Sequence, residues 1–136
     1  MSISVEGISK TFKGRKKGEE DNIVLNDVSF QVEEGEFVSL LGPSGCGKTT
    51  TLTIIAGFQK PNAGKIVVNG KEVTKPGPDR SFMFQNYALF PTMTVEQNVG
   101  AGLAGDKKKK QEQVQKMIRH FRLEGLEKRL PRELSG

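Results

Sequence analysis

The stretch that decides the fold of this chain is Gly42-Pro43-Ser44-Gly45-Cys46-Gly47-Lys48-Thr49, which fits G-x-x-x-x-G-K-[ST] at each fixed position. The apolar run 37–41 before it is typical of a strand buried on both faces. Residues 48–56 have apolar side chains at helical spacing, and Gly57 is placed to end that helix. A strand, a glycine-rich loop and a helix in this order direct backbone N–H groups at a phosphate.

The residue types of this loop suit the binding of a nucleotide. Glycines let the main chain approach phosphate oxygens closely, and Lys48 brings a positive charge to the β- and γ-phosphates. The hydroxyl of Thr49 suits Mg²⁺, and Thr50 is placed to contact the α-phosphate. The residues predicted to hold ATP are Gly42, Pro43, Ser44, Gly45, Cys46, Gly47, Lys48, Thr49 and Thr50.

Length and composition exclude several other classes of protein. The 136 residues are one domain's worth of sequence, and 35% hydrophobic residues with 16 glycines are typical of a globular chain. The net charge of +5 suits an anionic ligand but is too small to indicate a dedicated nucleic-acid binder. A single cysteine, Cys46, cannot form an internal disulfide, and residues 1–10 lack the pattern of a secretion signal. We therefore expect a reducing, cytoplasmic setting.

The segments around the loop predict strands in the first half. Alternating patterns at 3–8 and 24–32 indicate two antiparallel strands, separated by a charged loop at 13–22. Residues 64–69 and 81–84 are further strand candidates, the first ending in the turn signal Asn69-Gly70.

The last third of the sequence is predicted to be helical. Thr94 has the capping-box spacing to Gln97. An amphipathic helix is indicated by the apolar series Val114, Met117, Ile118 and Phe121. We interpret the four lysines at 107–110 as a solvated linker between helices.

Three stretches together resemble the first half of the ATPase of ATP-binding cassette (ABC) transporters. They are LLGPSGCGKTTTLTIIAGFQKPNAGKIVVNG, then MFQNYALFPTMTVEQNV, and LSG at 134–136. The resemblance implies an α/β fold of the P-loop NTPase type. In it a mixed central sheet carries an N-terminal antiparallel β-subdomain and the start of a helical subdomain. The resemblance also implies two parts of the chain. Residues 1–85 are the phosphate-loop and β-subdomain core, and residues 86–136 are the Q-loop and helical subdomain, which ends inside the signature motif.

The same resemblance assigns roles to two residues outside the loop. Gln85 matches the family's glutamine that contacts Mg²⁺ and the attacking water, so Lys48 and Gln85 are the predicted catalytic residues, and Thr49 and Gln85 the predicted metal ligands. Phe12 matches the aromatic residue that stacks on adenine, where tyrosine is more usual.

The partners implied by the resemblance are the permease subunits of an importer, a second ATPase subunit in a head-to-tail dimer, and indirectly a solute-binding protein. Residues 87, 89, 90 and 93 are expected to line the groove for the permease. These partners place the chain at the cytoplasmic face of the membrane, and no nucleic acid is expected. Lys75-Pro76-Gly77-Pro78-Asp79-Arg80 is similar to importers of nitrate, sulfonate and taurine, whereas YALFPTMTVEQNV equally resembles importers of polyamines, iron or sugars.

The chain stops before the family's second Mg²⁺-binding Asp and catalytic Glu, so we expect nucleotide binding without turnover by this piece alone. Two other functions stay open at this point. One is a nucleotide-binding module without activity, and the other is a soluble ABC ATPase of DNA repair or translation.

Overall fold

The computed structural model describes residues 1–14, 16, 18–86 and 88–134. The chain divides into two compact units, Met1–Phe82 and Met83–Gly136. The first contains β1 (Ile3–Phe12), β2 (Asn22–Val32), α1 (Lys48–Ile55), β3 (Ala63–Val68) and β4 (Lys71–Glu72). The second contains α2 (Val95–Gly100), α3 (Lys107–His120) and a short 3₁₀ turn (Pro131–Glu133).

The first unit is built on a four-stranded sheet in the order β2-β1-β3-β4, with each pair antiparallel. The central strand β1 places Val5 opposite Phe30 of β2 on one side and opposite Ile66 of β3 on the other. The strands predicted at 3–8, 24–32 and 64–69 are therefore confirmed, and Asn69 and Gly70 form the predicted turn with φ values of 48° and 75°.

The core of this unit joins the sheet to α1. Val5, Ile8, Leu25, Ile66 and Val68 of the sheet are buried together with Ile54 of the helix. Burial of such a side chain contributes about 1.5–3 kcal/mol, so this cluster fixes α1 on the face of the sheet. The glycine-rich loop ends where α1 begins, at Lys48. The packing of α1 on the sheet therefore also fixes the position of the end of this loop.

The strand predicted at 37–41 is wrong for this structure. The segment has no strand pairing, and Phe37 and Leu41 are 91% and 90% exposed. The strand predicted at 81–84 is also wrong, since it too is unpaired and Met83 is 94% exposed. A strand buried on both faces needs neighbouring strands and covering helices, and the described strands pair only among β1–β4. The sheet in the described part of the chain is accordingly antiparallel rather than mixed.

The second unit confirms the predicted capping box. Thr94 Oγ1 accepts from Gln97 N at 3.4 Å, and Gln97 Oε1 accepts from Thr94 N at 2.8 Å. The predicted amphipathic helix is confirmed as α3, in which Val114 and Ile118 are buried, while Met117 and Phe121 of the same apolar series are 41% and 63% exposed.

The lysines at 107–110 form the first turn of α3, so their interpretation as a linker is wrong. The Asp106 carboxylate caps this turn, accepting from Lys108 N at 3.1 Å and Lys109 N at 3.4 Å. A cap at this position satisfies N–H groups that would otherwise lack partners, which allows a helix to begin inside the lysine run.

Candidate functional site

Residues 42–47 form a tight loop that leads directly into α1. Its last residue, Gly47, is the N-cap of the helix, with φ 93° and ψ 2°. A Cβ at Gly47 would lie 2.6 Å from Leu25 Cδ2 and 2.9 Å from Val24 O. Glycine is therefore required here for two reasons: the backbone is left-handed, and β2 lies too close to leave room for a side chain.

The loop presents a set of backbone donors with no protein acceptor. The N–H groups of residues 44, 45, 47, 48, 49 and 50 donate no hydrogen bond within the described part of the chain, whereas Cys46 N donates to Pro43 O at 3.4 Å. The first N–H groups of a helix lack intrahelical partners and lie at its positive end. A group of such donors in one loop is suited to the oxygens of a phosphate.

Lys48 folds back over this loop. Its Nζ donates to Gly42 O and Pro43 O, each at 2.6 Å, and lies 3.4 Å from Cys46 Sγ. No carboxylate pairs with the ammonium group among the described residues, so its positive charge is not neutralised. The two carbonyls and the thiol hold the ammonium group against the loop, where its positive charge favours an anion.

Three threonines at the start of α1 have different environments. Thr49 is exposed and its hydroxyl makes no hydrogen bond with the described residues, while Thr50 is half-buried. Thr51 is buried and its Oγ1 donates to Gly47 O at 3.0 Å. Thr51 thus stabilises the end of the loop, and Thr49 offers the free hydroxyl.

The donor set fits Mg²⁺ brought with a nucleotide. Mg²⁺ is usually held by one or two protein ligands together with substrate phosphates and water, and the hydroxyl of Thr49, which has no partner among the described residues, is an oxygen donor of the kind such a site uses. The described residues contain no cluster of three or more His, Cys, Asp or Glu side chains that could hold a metal by themselves.

Phe12 and Gln85 lie outside the loop. Phe12 ends β1 with 40% of its surface exposed, and Lys10 Nζ lies 5.4 Å from the centre of its ring. Gln85 belongs to the second unit and its side chain is exposed. Residues 42–50 form one continuous loop and helix start. The roles predicted for these residues, for Phe12 and for Gln85 stay predictions.

The second unit contains a cleft of about 740 Å³ between α2, α3 and the segment before α2. Its lining includes Phe90 and Met93, as well as Gly100, Val114, Lys107 and Lys110. Leu89 is half exposed. Tyr87, predicted for the same groove, lies outside the described residues, as do Ser135 and Gly136 of the LSG stretch.

Asn98 of α2, which the sequence analysis did not single out, holds the segment that precedes this helix. Its Oδ1 accepts from Phe90 N at 2.8 Å, and its Nδ2 donates to Phe90 O, Met93 O and Thr94 O at 2.9–3.1 Å. It thereby ties segment 90–94 to α2. The sequence did offer one signal, because asparagine has a low helix propensity and this one lies inside a short predicted helix.

A family model described as ABC transporter matches residues 25–136. The chain is 41% identical over 136 residues to the aliphatic sulfonates import ATP-binding protein SsuB of Bacillus cereus (strain ATCC 10987 / NRS 248) and covers 53% of it. It is 44% identical over 140 residues to the spermidine/putrescine import ATP-binding protein PotA of Mesoplasma florum, with 98% of this chain and 38% of that protein covered.

Solved structures show the same relationship. The dimeric structure of MJ0796, described as a bacterial ABC transporter cassette, has a TM-score of 0.80 and 29% identity, with 98% of this chain and 63% of that one covered. A post-hydrolysis state of the same cassette bound to ADP and Pi gives a TM-score of 0.78 and 28% identity, with the same coverage.

The chain spans about half the length of the SsuB relatives it matches. Within the described ranges, no helix has the length and apolar character needed to cross a bilayer. The family match over residues 25–136 agrees with the glycine-rich loop and the helix that follows it. The chain belongs to the ABC transporter family.

Proposed function

We propose that the chain is the nucleotide-binding part of the ATPase subunit of an ABC importer. The observation that supports this proposal is the loop 42–50, where several backbone N–H groups have no acceptor among the described residues and adjoin the ammonium group of Lys48, which no described carboxylate neutralises. The β- and γ-phosphates of ATP supply the acceptors and the negative charge that this loop lacks.

Each predicted residue has a defined task in this proposal. The N–H groups of the loop and of the first turn of α1 hold the phosphate oxygens, and Lys48 stabilises the charge of the terminal phosphates. Phe12 offers its exposed ring face to the adenine. Thr49 and Gln85 would hold Mg²⁺, which neutralises developing charge on the phosphates when bound.

The contribution of this chain is binding and electrostatic stabilisation. No carboxylate makes a hydrogen bond or an ion pair with residues 42–50 in the described part of the chain, so these residues offer no general base. Hydrolysis is a property we assign to the whole protein, in which a water attacks the γ-phosphorus and ADP leaves with the bridging oxygen.

The partners follow from the second unit and from the relatives. The cleft near α2 has apolar lining from Phe90, Met93 and Val114 together with Lys107 and Lys110, which suits a short helix of a membrane permease. The protein would then lie at the cytoplasmic face of the membrane and pair with a second ATPase subunit, as supported by the dimeric MJ0796 structures.

The names of the relatives reduce the number of candidate classes for the transported solute. The chain is 41% and 46% identical to aliphatic sulfonate import proteins of Bacillus cereus and Bacillus licheniformis. We therefore assign a small oxyanion such as an organic sulfonate as the solute class, with a polyamine as the second candidate because of the match to PotA.

The test is ATP hydrolysis by the complete subunit with and without its permease. We expect Mg²⁺-dependent release of phosphate that increases with the permease and is lost in Lys48→Ala, since no other side chain of the loop supplies a positive charge. Lys71→Ala removes an equivalent exposed charge outside the loop and is the control. Equal turnover in Lys48→Ala and the wild type would refute the proposal.

A further inference from the structure

The excess positive charge of the chain is concentrated in α3. This helix contains six Lys or Arg residues and one acidic residue, Glu112. Its formal charge of +5 equals the net charge of the whole chain. The charged residues outside α3 therefore balance one another, and the excess lies on this one helix.

The basic side chains of α3 have no carboxylate partner in the described part of the chain, where the ion pairs all lie elsewhere. Glu112 is one helical turn from Lys108 and from Lys116 but pairs with neither. The positive charges of the helix are therefore not neutralised by the unit to which it belongs.

The core contacts of α3 determine which charges lie away from the unit. Val114 and Ile118 are 3% and 0% exposed and mark the buried side. At 3.6 residues per turn, the opposite side carries four exposed basic residues together with Glu112. These four, which we call the basic face, are Lys108, Lys109, Lys116 and Arg119. None of them lines the cleft beside α2.

The charges at the start of α3 are unfavourable for the helix itself. Its first turn contains four lysines and no acidic residue, and only the preceding Asp106 caps it. The N-terminal end of a helix is positive, so ammonium groups there repel it, and they also repel one another. An anionic surface beside the helix would offset this repulsion.

Exposed apolar side chains lie next to the basic face. Met117 and Phe121 are 41% and 63% exposed, and the ring of Phe121 meets the ring of His120 edge to face, with centres 5.0 Å apart. The helical spacing places both on the side of the basic face where Lys109 lies. A helix with basic residues beside large apolar side chains is typical of a segment that lies on a membrane surface.

Anionic lipid headgroups match this surface better than a nucleic acid does. Proteins that bind single-stranded nucleic acid place aromatic side chains among their basic residues, whereas no aromatic residue lies between Lys107 and Arg119. Met117 and Phe121 instead suit the boundary between headgroups and acyl chains. The negative potential of the cytoplasmic leaflet complements the charge of the basic face.

We propose that the basic face of α3 binds the anionic headgroups of the membrane surface, so that the ATPase subunit contacts lipid directly as well as through its permease. This inference rests on the proposed function for the location of the protein at the membrane. The contact is electrostatic, and salt therefore weakens it.

The test is sedimentation of the complete ATPase subunit, without its permease, with lipid vesicles. Vesicles of phosphatidylcholine with about 30% phosphatidylglycerol are compared with pure phosphatidylcholine. Each lysine near an anionic surface strengthens binding about fivefold. Changing Lys108, Lys109 and Lys116 together to Gln should therefore weaken binding to the anionic vesicles about 100-fold. Wild-type binding should be lost at about 1 M KCl.

Two further triple variants separate the basic face from general charge and from damage to the fold. The same three positions changed to Arg keep the charge and should keep the binding. Lys13, Lys71 and Lys75, which are exposed residues of the first unit, lose the same charge when changed to Gln and should leave binding unchanged. Thermal unfolding checks the fold of each variant, and the Gln variant of α3 should be no less stable than the wild type, because its first turn loses repulsion.

Several results would overturn the inference. They are equal binding of the wild type to both kinds of vesicle, equal losses in the two Gln triple variants, and failure of the Arg variant to bind. Tighter binding to DNA than to anionic vesicles at the same salt concentration would also overturn it, in favour of a nucleic acid.

These outcomes are independent of the proposed function, since vesicle binding is measured without nucleotide. If the wild type ignores anionic lipid while its ATP hydrolysis depends on Lys48, the inference fails and the proposed function stands. If Lys48→Ala binds and hydrolyses MgATP as the wild type does, the proposed function fails whatever the vesicles show.

Discussion

Replacing Gly47 by alanine tests whether the contact of the loop with β2 requires glycine at the last residue before α1. Gly47 has φ 93°, and an added Cβ would lie 2.6 Å from Leu25 Cδ2. A non-glycine residue held in left-handed backbone costs about 1–3 kcal/mol, and overpacking costs another 1–3 kcal/mol. We therefore expect Gly47→Ala to lower the free energy of unfolding by about 2–6 kcal/mol, a large part of the 5–15 kcal/mol of a typical protein.

Gly45→Ala is the matched control within the same loop. Gly45 has φ 83°, but a Cβ there would meet nothing within 4 Å. This variant therefore has only the backbone cost of about 1–3 kcal/mol. Urea unfolding of the wild type and both variants measures the difference. An equal loss of stability in the two variants would refute the argument that the contact with β2 requires glycine at position 47.

Three further predictions concern other parts of the structure. Saturating MgATP should slow the alkylation of Cys46, because its exposed thiol lies in the loop that the phosphates would cover. Asn98→Ala should cost about 1–3 kcal/mol and increase amide exchange in segment 90–94, which Asn98 holds. The pKa of Lys128 is raised by its hydrogen bond and charge pairing with Glu96, so the stability from this pair is present at neutral pH and is lost as the pH rises through that pKa.

Each of these predictions has a control. Alkylation should keep its rate when ATP is added to Lys48→Ala, and an unchanged rate in the wild type would contradict occupation of the loop. For Asn98→Ala the control is Asn86→Ala, which removes an exposed side-chain amide from the same unit. It should leave the rate of amide hydrogen exchange in segment 90–94 unchanged. In Glu96→Gln, which lacks the charge that pairs with Lys128, the free energy of unfolding should no longer fall as the pH rises through the pKa of Lys128. An equal fall in this variant and the wild type would contradict the role of the Lys128–Glu96 pair.

The sequence allowed the loop to be located because the fixed positions of its motif are local. Glycine, lysine and threonine at this spacing act through backbone geometry within eight residues, and in the structure they form a loop that leads into a helix at Lys48. The turn at Asn69-Gly70 and the Thr94 cap were likewise predictable, since each depends on contacts two or three residues apart.

The features that were not predictable depend on distant contacts. An apolar run at 37–41 reads as a buried strand, but pairing requires neighbours that the local pattern does not specify, and the segment is exposed here. The spacing of the apolar series in α3 predicts which residues share a face, but which of them are buried depends on what packs against that face. Val114 and Ile118 are buried, whereas Met117 and Phe121 are exposed. Arg80 gave no signal, because only the fold brings its side chain to Lys75 O.

The central claim is that residues 42–50 bind the phosphates of ATP through Lys48 and the backbone. Calorimetric titration of MgATP into the wild type and Lys48→Ala tests it most directly. Loss of a hydrogen bond between charged groups costs about 1.5–3 kcal/mol, so the Kd should rise about 10- to 150-fold in Lys48→Ala. An unchanged Kd, or no binding of MgATP by the wild type, would contradict the claim.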